Sequence, residues 1–295
     1  MASNQVIDLH MHTTASDGRC SPETLVQRAF ARGIRTLSVT DHDTMAGVER
    51  AAAAARALGM IFIPGIEITS VNGGRDVHIL AYFLPELSEE LRELLAEQRK
   101  NRTERAETIA ARLSAVGAPI DLDALMEAGA ALGGKSLARP QIAQALIAAG
   151  HVATVAEAFE RFLAEDGPAY VPHRGASPAE VVEMIVAAGG LASFAHPGYT
   201  KQDAVIPDLI AAGLGAIEAY HSSHDDSTTE RYLEMASHYG VAVSGGSDFH
   251  GEGTRRSEFF GVVHLPAIHF DGLLKRAERS RETAALRLAM AWGIG

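Results

Sequence analysis

Nine residues of metal-ligand type fall in, at or just beyond the ends of six short apolar runs that read as strands. They are His10, His12, Asp17, His42, Glu67, His78, His196, Asp248 and His250. The runs are residues 6–10, 36–40, 61–66, 77–82, 191–195 and 241–245. One histidine at a strand end carries little information. Nine ligand-type residues on six strand-like runs restrict the fold, because the C-terminal mouth of a parallel barrel is where separate strand ends meet.

The rest of the chain follows the same rhythm. Ser21-Pro22 reads as N-cap and first residue of a helix that Gly33 stops. A second helix is expected over residues 44–58, before Gly59. Ser177-Pro178 with Glu180 marks another start, and residues 203–212 and 226–239 read as helices. A seventh strand is expected at residues 216–220. Strands alternating with helices imply βαβ units and a parallel sheet. A flat doubly wound sheet would hold its outer strand ends too far apart to share a site, so the expectation is α/β, a distorted seven-stranded barrel.

Residues 89–166 break the alternation. Leu91, Leu94, Leu95, Ile109 and Leu113 mark a long amphipathic helix, and shorter helices are read at 121–128 and 140–149. Thr154 with Glu157 gives a further capping box. The expected organisation is a barrel from residues 1–88 and 167–295, with 89–166 as a helical insertion forming a lid or substrate wall.

Composition narrows the chemistry. A chain of 295 residues with 47% hydrophobic and 21% charged residues is globular. Its single cysteine, Cys20, excludes a disulfide framework and a thiolate zinc site. A net charge of −11 opposes adhesion to duplex nucleic acid or anionic lipid, yet divalent ions in the site would still draw an anionic substrate. With no signal peptide and no apolar run of about 20 residues in view, a cytoplasmic location is the expectation. Imidazole and carboxylate donors suit Mn, Fe or Zn, with Mg at weaker sites. Nine donors exceed one ion and call for two or three, an arrangement suited to phosphoryl displacement.

The motifs D-L-H-M-H-T, S-D-G, T-D-H-D, G-I-E, V-H-I, A-H-P-G and G-S-D-F-H occur in that order over residues 6–83 and 170–265. As a set they resemble those of the polymerase and histidinol phosphatase (PHP) superfamily. The resemblance implies a TIM-like (β/α)7 barrel with a trinuclear site. His10 and His12 would hold one ion with Glu67 and Asp248. Glu67 would bridge to a second, held by His78 and His196, and Asp17, His42 and His250 would hold the third.

Within the superfamily the helical insertion looks most like that of the nucleoside 3′,5′-bisphosphate phosphatases, some of which trim short RNA from the 5′ end. The implied substrate is a phosphorylated small molecule or a short oligonucleotide, attacked in line by a metal-bound hydroxide. Lys135, Ser136 and Arg139 in G-G-K-S-L-A-R-P would bind it, with Gln141 where a histidine is common. Tyr199 stands where an arginine often sits, which moves that phosphate contact to Lys201 or removes it. Ser223 and His224 fit the pattern, His224 as leaving-side acid or substrate contact, and Arg174 is a further phosphate-binding candidate.

Plainer readings stand beside these. Paired histidines at a strand edge are often solvated, and S-D-G is an ordinary turn. Asp8 reads as a structural carboxylate. Asp41 and Asp43 read equally as caps of the next helix and as props for His42, and Glu218 as a structural ion pair. Two other functions stay open: a small-metabolite phosphatase such as histidinol phosphatase, and a non-catalytic metal- or nucleotide-binding module.

Overall fold

The structure, a computed structural model, describes residues 6–84, 86–131, 139–254 and 256–291. Its first half runs β1 (Val6–Asp8), α1 (Pro22–Ala31), β2 (Ile34–Val39), α2 (Val48–Ala57), β3 (Ile61–Asn72) and β4 (Arg75–Tyr82). Then come α3 (Glu89–Ala115), α4 (Leu122–Ala131), α5 (Arg139–Ala148) and α6 (Val155–Ala158), which passes into a π-helical turn at Phe159–Leu163. Alternation resumes with α7 (Pro178–Ala187), β5 (Leu191–Phe194), α8 (Pro197–Thr200), α9 (Ile206–Ala212), β6 (Ala216–His221), α10 (Asp226–Tyr239), β7 (Ala242–Gly246) and α11 (Ala267–Ala291).

The seven strands hydrogen-bond in sequence order, β1 to β7. Beyond β1 the chain returns to β7: Leu9 N donates to Gly245 O at 3.1 Å, and Met11 bridges Phe249. The sheet is thus a nearly closed seven-stranded barrel with helices packed outside it.

The barrel is not wholly parallel, which corrects the expectation from the helix–strand rhythm. β4 is antiparallel to β3 and to β5, while the other neighbours are parallel. The cause is a two-residue turn. Gly73 and Gly74 both adopt positive φ, 58° and 79°, the conformation of a type I′ hairpin. Two residues cannot carry the crossover that a parallel partner needs.

Local sequence accounts for the helix ends. Ser21 caps α1 by accepting from Thr24 N, with Pro22 behind it. Ser177 and Glu180 form a reciprocal capping box on α7. At Thr154 the hydroxyl accepts from Glu157 N, but the Glu157 carboxylate takes Ala153 N instead of the cap's own N–H. α2 begins later than expected. Thr44 Oγ1 turns back to accept from Ala46 N, and the helix starts after Gly47.

Three apolar clusters form among the described residues. The largest fills the barrel and the layer under α7, α9, α10 and α11, with Leu9, Ile66, Ile79, Leu80, Phe194 and Ile217 among its fully buried members. A second lies under α1 and α2. A third, with Ile109, Leu113, Ile142, Leu146 and Leu163, is built by α3, α5 and the turns after them. α3 is also tied to the barrel by polar bonds: Arg102 grips the Asp43 carboxylate, which takes Thr69 N and Oγ1 at 2.8 Å each.

Candidate metal centre

β1 and its continuation place His10 and His12 on one side of an extended chain, two residues apart. Asp8 fixes that segment by accepting from Ser247 N, Ser247 Oγ and His10 N. β3 carries Glu67 into the middle of the mouth. His42 bridges to it in parallel register, with Asp43 N donating to Glu67 O at 2.8 Å. β4 arrives from the opposite direction and presents His78 across from Thr69. His196 and Asp248 follow β5 and β7 in left-handed backbone, φ 30° and 53°. Non-glycine residues held there carry strain that surrounding bonds must offset. Those bonds are His196 N to Glu218 Oε2 at 2.7 Å and Asp248 N to His10 O at 2.8 Å.

The side chains converge on Glu67. Its Oε1 lies 2.8 Å from His78 Nδ1 and 3.0 Å from His196 Nε2. Its Oε2 lies 3.2 Å from His10 Nε2, His12 Nε2 and His42 Nδ1. Asp248 Oδ1 is 3.2 Å from His12 Nε2 and 3.4 Å from His10 Nε2 and from His250 Nδ1. Asp17 lies 3.3 Å from His250, 3.6 Å from His12 and 3.9 Å from His42. All nine residues singled out in the sequence are therefore in one cluster.

The donor atoms fit cations. Both ring nitrogens of His12, and Nδ1 of His42 and of His78, are buried without a well-formed hydrogen bond although carboxylate oxygens stand close by. Atoms that approach one another yet do not bond are aimed at shared points between them. Among the described residues, four sets of donors converge in this way: His10, His12, Glu67 and Asp248; His12, Asp17, His42 and His250; His42, Glu67 and His78; and His10, Glu218 and His221.

Protonation agrees with this. Burial alone would raise Glu67, but His42, His78 and His10 hold its carboxyl well below the usual range. Burial pulls His42 down to about 3 and His196 down to about 4, despite nearby carboxylates. Burial opposes a charged His10 too, yet Glu218 and Glu67 outweigh it and push the ring up to about 10. Ionised carboxylates and mostly neutral imidazoles are the state that a cation requires. His10 holds a proton where an ion would compete for its lone pair.

A surrounding layer orients these donors. Glu218 accepts from His10 Nδ1 at 2.9 Å as well as from His196 N. Asp41 takes Thr13 N, Thr13 Oγ1 and Ser16 Oγ, each at 2.7 Å. Neither Asp41 nor Asp43 caps α2, contrary to one sequence reading; both brace loops beside His42. Two residues escaped the sequence reading. His221, buried at the end of β6, faces Asp248 Oδ2 at 3.3 Å and Ser223 Oγ at 2.7 Å. Arg256 also binds Asp248 Oδ2, and its guanidinium lies 5.1 Å from the Tyr199 ring centre. The signal for His221 was present, since it ends a strand as the other ligands do.

A cleft of about 690 Å³ lies over the centre, lined by His78, His196 and Tyr199 of the barrel and by Arg105, Arg139 and Tyr170 of the helical segment and the chain after it. Arg139 and Tyr199 thus stand where substrate contact is geometrically open. Lys135 and Ser136 lie outside the described residues. Ser223 is bound to His221 and does not line the cleft. His224 is corrected more sharply: Nδ1 donates to Ala219 O at 2.8 Å and Nε2 accepts from Gly198 N at 3.1 Å. With both ring nitrogens on backbone, it has none to offer a leaving group. Arg174 borders a separate small hollow with Gln98 and Arg102, and Lys201 is absent from the cleft wall, where Arg256 stands instead.

Comparison with known proteins agrees with this geometry. The PHP domain family model matches residues 8–130. The 3′,5′-nucleoside bisphosphate phosphatase of Chromobacterium violaceum is 36% identical over 267 residues, 89% of this chain and 93% of that protein. A 5′-3′ exoribonuclease of Haemophilus influenzae is 34% identical, over 82% of this chain and 89% of its own. A crystal structure described as a metal-dependent phosphoesterase from Bifidobacterium adolescentis superposes with a TM-score of 0.79 at 31% identity, covering 92% of this chain and 96% of that one. Full-length similarity at this level, a seven-stranded barrel and a histidine–carboxylate cluster at its mouth all lead to one assignment: the chain belongs to the PHP family of metal-dependent phosphoesterases.

Proposed function

We propose that this phosphoesterase acts on nucleotides, removing the 3′-phosphate of a nucleoside 3′,5′-bisphosphate, trimming short RNA from its 5′ end, or both. The observation that carries the reading is the cleft, whose wall combines His42, His78, His196 and His250 of the Glu67 cluster with Arg139 of the helical segment. A substrate with one phosphate would be held wholly at the cluster. A substrate with two would use the cluster and Arg139 together. The names of the Chromobacterium violaceum and Haemophilus influenzae relatives support the same choice over a small-metabolite phosphatase or a non-catalytic module.

The nine clustered donors would hold two or three divalent ions, Mn favoured and Fe, Zn or Mg also compatible with oxygen and imidazole ligands. When bound, such ions supply Lewis acidity and an activated water for phosphoryl displacement. Within the chain, Glu218 holds the proton of His10 Nδ1, so that Nε2 faces the cluster. Glu67 and Asp248 each split their two oxygens between neighbours and fix the spacing of the donors. Arg256, beside Asp248, places positive charge where the reacting phosphate gathers negative charge. Arg139 grips the second phosphate, and the segment 89–166 acts as a lid or wall that limits water.

The test is a panel of nucleoside 3′,5′-bisphosphates, short 5′-phosphorylated RNA, histidinol phosphate and an aryl phosphate, assayed with Mn. Preference for the first two is expected. Preference for histidinol phosphate would replace this reading with that of a small-metabolite phosphatase.

A further inference from the structure

Of the nine clustered donors, His196 and Asp248 are the ones in left-handed backbone. Both are reached from one stretch of chain, His221-Ser222-Ser223-His224, where β6 ends. It touches Asp248 directly and His196 through Gly198.

The backbone fixes the proton on each histidine. Ser223 N donates to His221 Nδ1 at 3.1 Å. A ring nitrogen that accepts from an amide carries no proton, so the proton of His221 is on Nε2. That atom faces Asp248 Oδ2 at 3.3 Å and therefore donates to it. His221 groups with His10 and Glu218 as a possible ligand, yet in this tautomer it has no lone pair to offer an ion. Its effect is on Asp248. Oδ2 is engaged by His221 and Arg256, and Oδ1 is left to His10, His12 and His250, at 3.2 to 3.4 Å.

His224 has the opposite tautomer. Gly198 N donates to Nε2 at 3.1 Å, so the proton is on Nδ1 and goes to Ala219 O at 2.8 Å. The ring stacks on Tyr232, with centres 5.4 Å apart, and Tyr232 is held by Asp203. The approach to Gly198 is close: a Cβ there would stand 2.8 Å from the His224 ring and 2.7 Å from Thr228 Cγ2. The glycine of A-H-P-G lets the ring reach the backbone two residues beyond His196.

We propose that His221 and His224 are positioning residues for the metal centre, each in a tautomer set by backbone, His221 aiming Asp248 and His224 holding the turn that presents His196. The proposal rests on the reading of the Glu67 cluster as a metal centre and is independent of the substrate. Bonds of this kind offset the strain of a left-handed ligand and keep its donor atom in place before an ion arrives.

The experiment is Mn titration of the chelator-treated full chain in competition with a chelating dye, beside urea unfolding of the metal-free protein. A Gln amide reaches the place of Nε2 and an Asn amide that of Nδ1. His221→Gln and His224→Gln thus keep the bond toward the ligand, while the Asn variants keep only the bond at Nδ1. His221→Asn should weaken binding roughly 10- to 100-fold and His224→Asn about 3- to 10-fold, with the Gln variants within about threefold of wild type. A purely structural role would lower the urea midpoint without separating Asn from Gln in Mn affinity. Equal affinities for Asn and Gln, or Asn variants that bind as wild type does, overturn the proposal. A wild type that binds no Mn overturns the metal centre as well. If the variants do not fold, neutron diffraction from wild-type crystals decides. Deuterium on His221 Nε2 and on His224 Nδ1 is expected, and either ring in the other tautomer overturns the assignment.

Discussion

Glu218 on β6 accepts the Nδ1 proton of His10 at 2.9 Å, with both side chains fully buried. This bond chooses the ring nitrogen that faces the cluster. Glu218→Ala should therefore weaken metal binding by roughly 10- to 100-fold, the usual effect of removing a group that orients a ligand. It also strands His196 N, at a cost of about 1–3 kcal/mol in stability. Metal titration and urea unfolding check the two effects separately. Unchanged metal affinity would remove Glu218 from this role.

The same pair sets a pH window for the metal-free protein. Burial opposes both charges, yet each partner stabilises the other: His10 is raised from 6.5 to about 10, and Glu218 lowered from 4.5 to about 2. A raised histidine stabilises fully below 6.5, and that stabilisation is lost as pH climbs through about 10. A lowered glutamate stabilises above 4.5, and its contribution is lost as pH falls through about 2. Chelated protein should thus be most stable between about 4.5 and 6.5 and weaken on both sides. Bound ions replace the His10 proton, so loaded protein should lose the alkaline decline. Urea midpoints across pH are the measurement. Rising stability of chelated protein from neutral to alkaline pH would contradict the assignment.

Chelation should abolish turnover and lower the melting temperature, because ions that bind the folded chain alone add stability by mass action, about 2.7 kcal/mol at a hundredfold excess over Kd. Elemental analysis of active protein should return two or three ions per chain. One ion or none, in fully active protein, would count against the shared use of Glu67.

Arg256 and Arg139 should separate by substrate. Arg139→Ala should cost about 1.5–3 kcal/mol in kcat/KM on a nucleoside 3′,5′-bisphosphate and far less on an aryl phosphate. Arg256→Ala should reduce both substrates alike, since Arg256 binds Asp248 of the donor cluster, where the reacting phosphate is expected. A matching substrate pattern for the two variants would mean that Arg139 and Arg256 do not divide the labour.

The barrel and the clustered donors were legible because both are written locally, as short apolar runs with histidine or carboxylate at their ends. The direction of β4 was also written, in Asn72-Gly73-Gly74-Arg75, but the helix–strand rhythm elsewhere outweighed it. His221 was passed over because its strand was closed one residue early. Arg256 and Arg105 could not be read locally. Arg256 depends on how the chain folds back after β7, and Arg105 on which turn of a 27-residue helix meets the barrel. His224 misled for the converse reason: its spacing suited an active group, while its two backbone partners, Ala219 and Gly198, appear only in three dimensions.

The bond between Arg102 and Asp43 makes the helical segment a poor candidate for excision or exchange. Asp43 follows His42 directly and holds a left-handed backbone, φ 50°. A barrel trimmed of α3 would leave that buried carboxylate facing Thr69 without its cation, and the loop carrying His42 would lose a fastening. A protein engineer seeking new substrates by swapping this segment would therefore have to transplant an arginine at the position of Arg102 with it. Libraries that vary the cleft should therefore leave Arg102 and Asp43 unchanged.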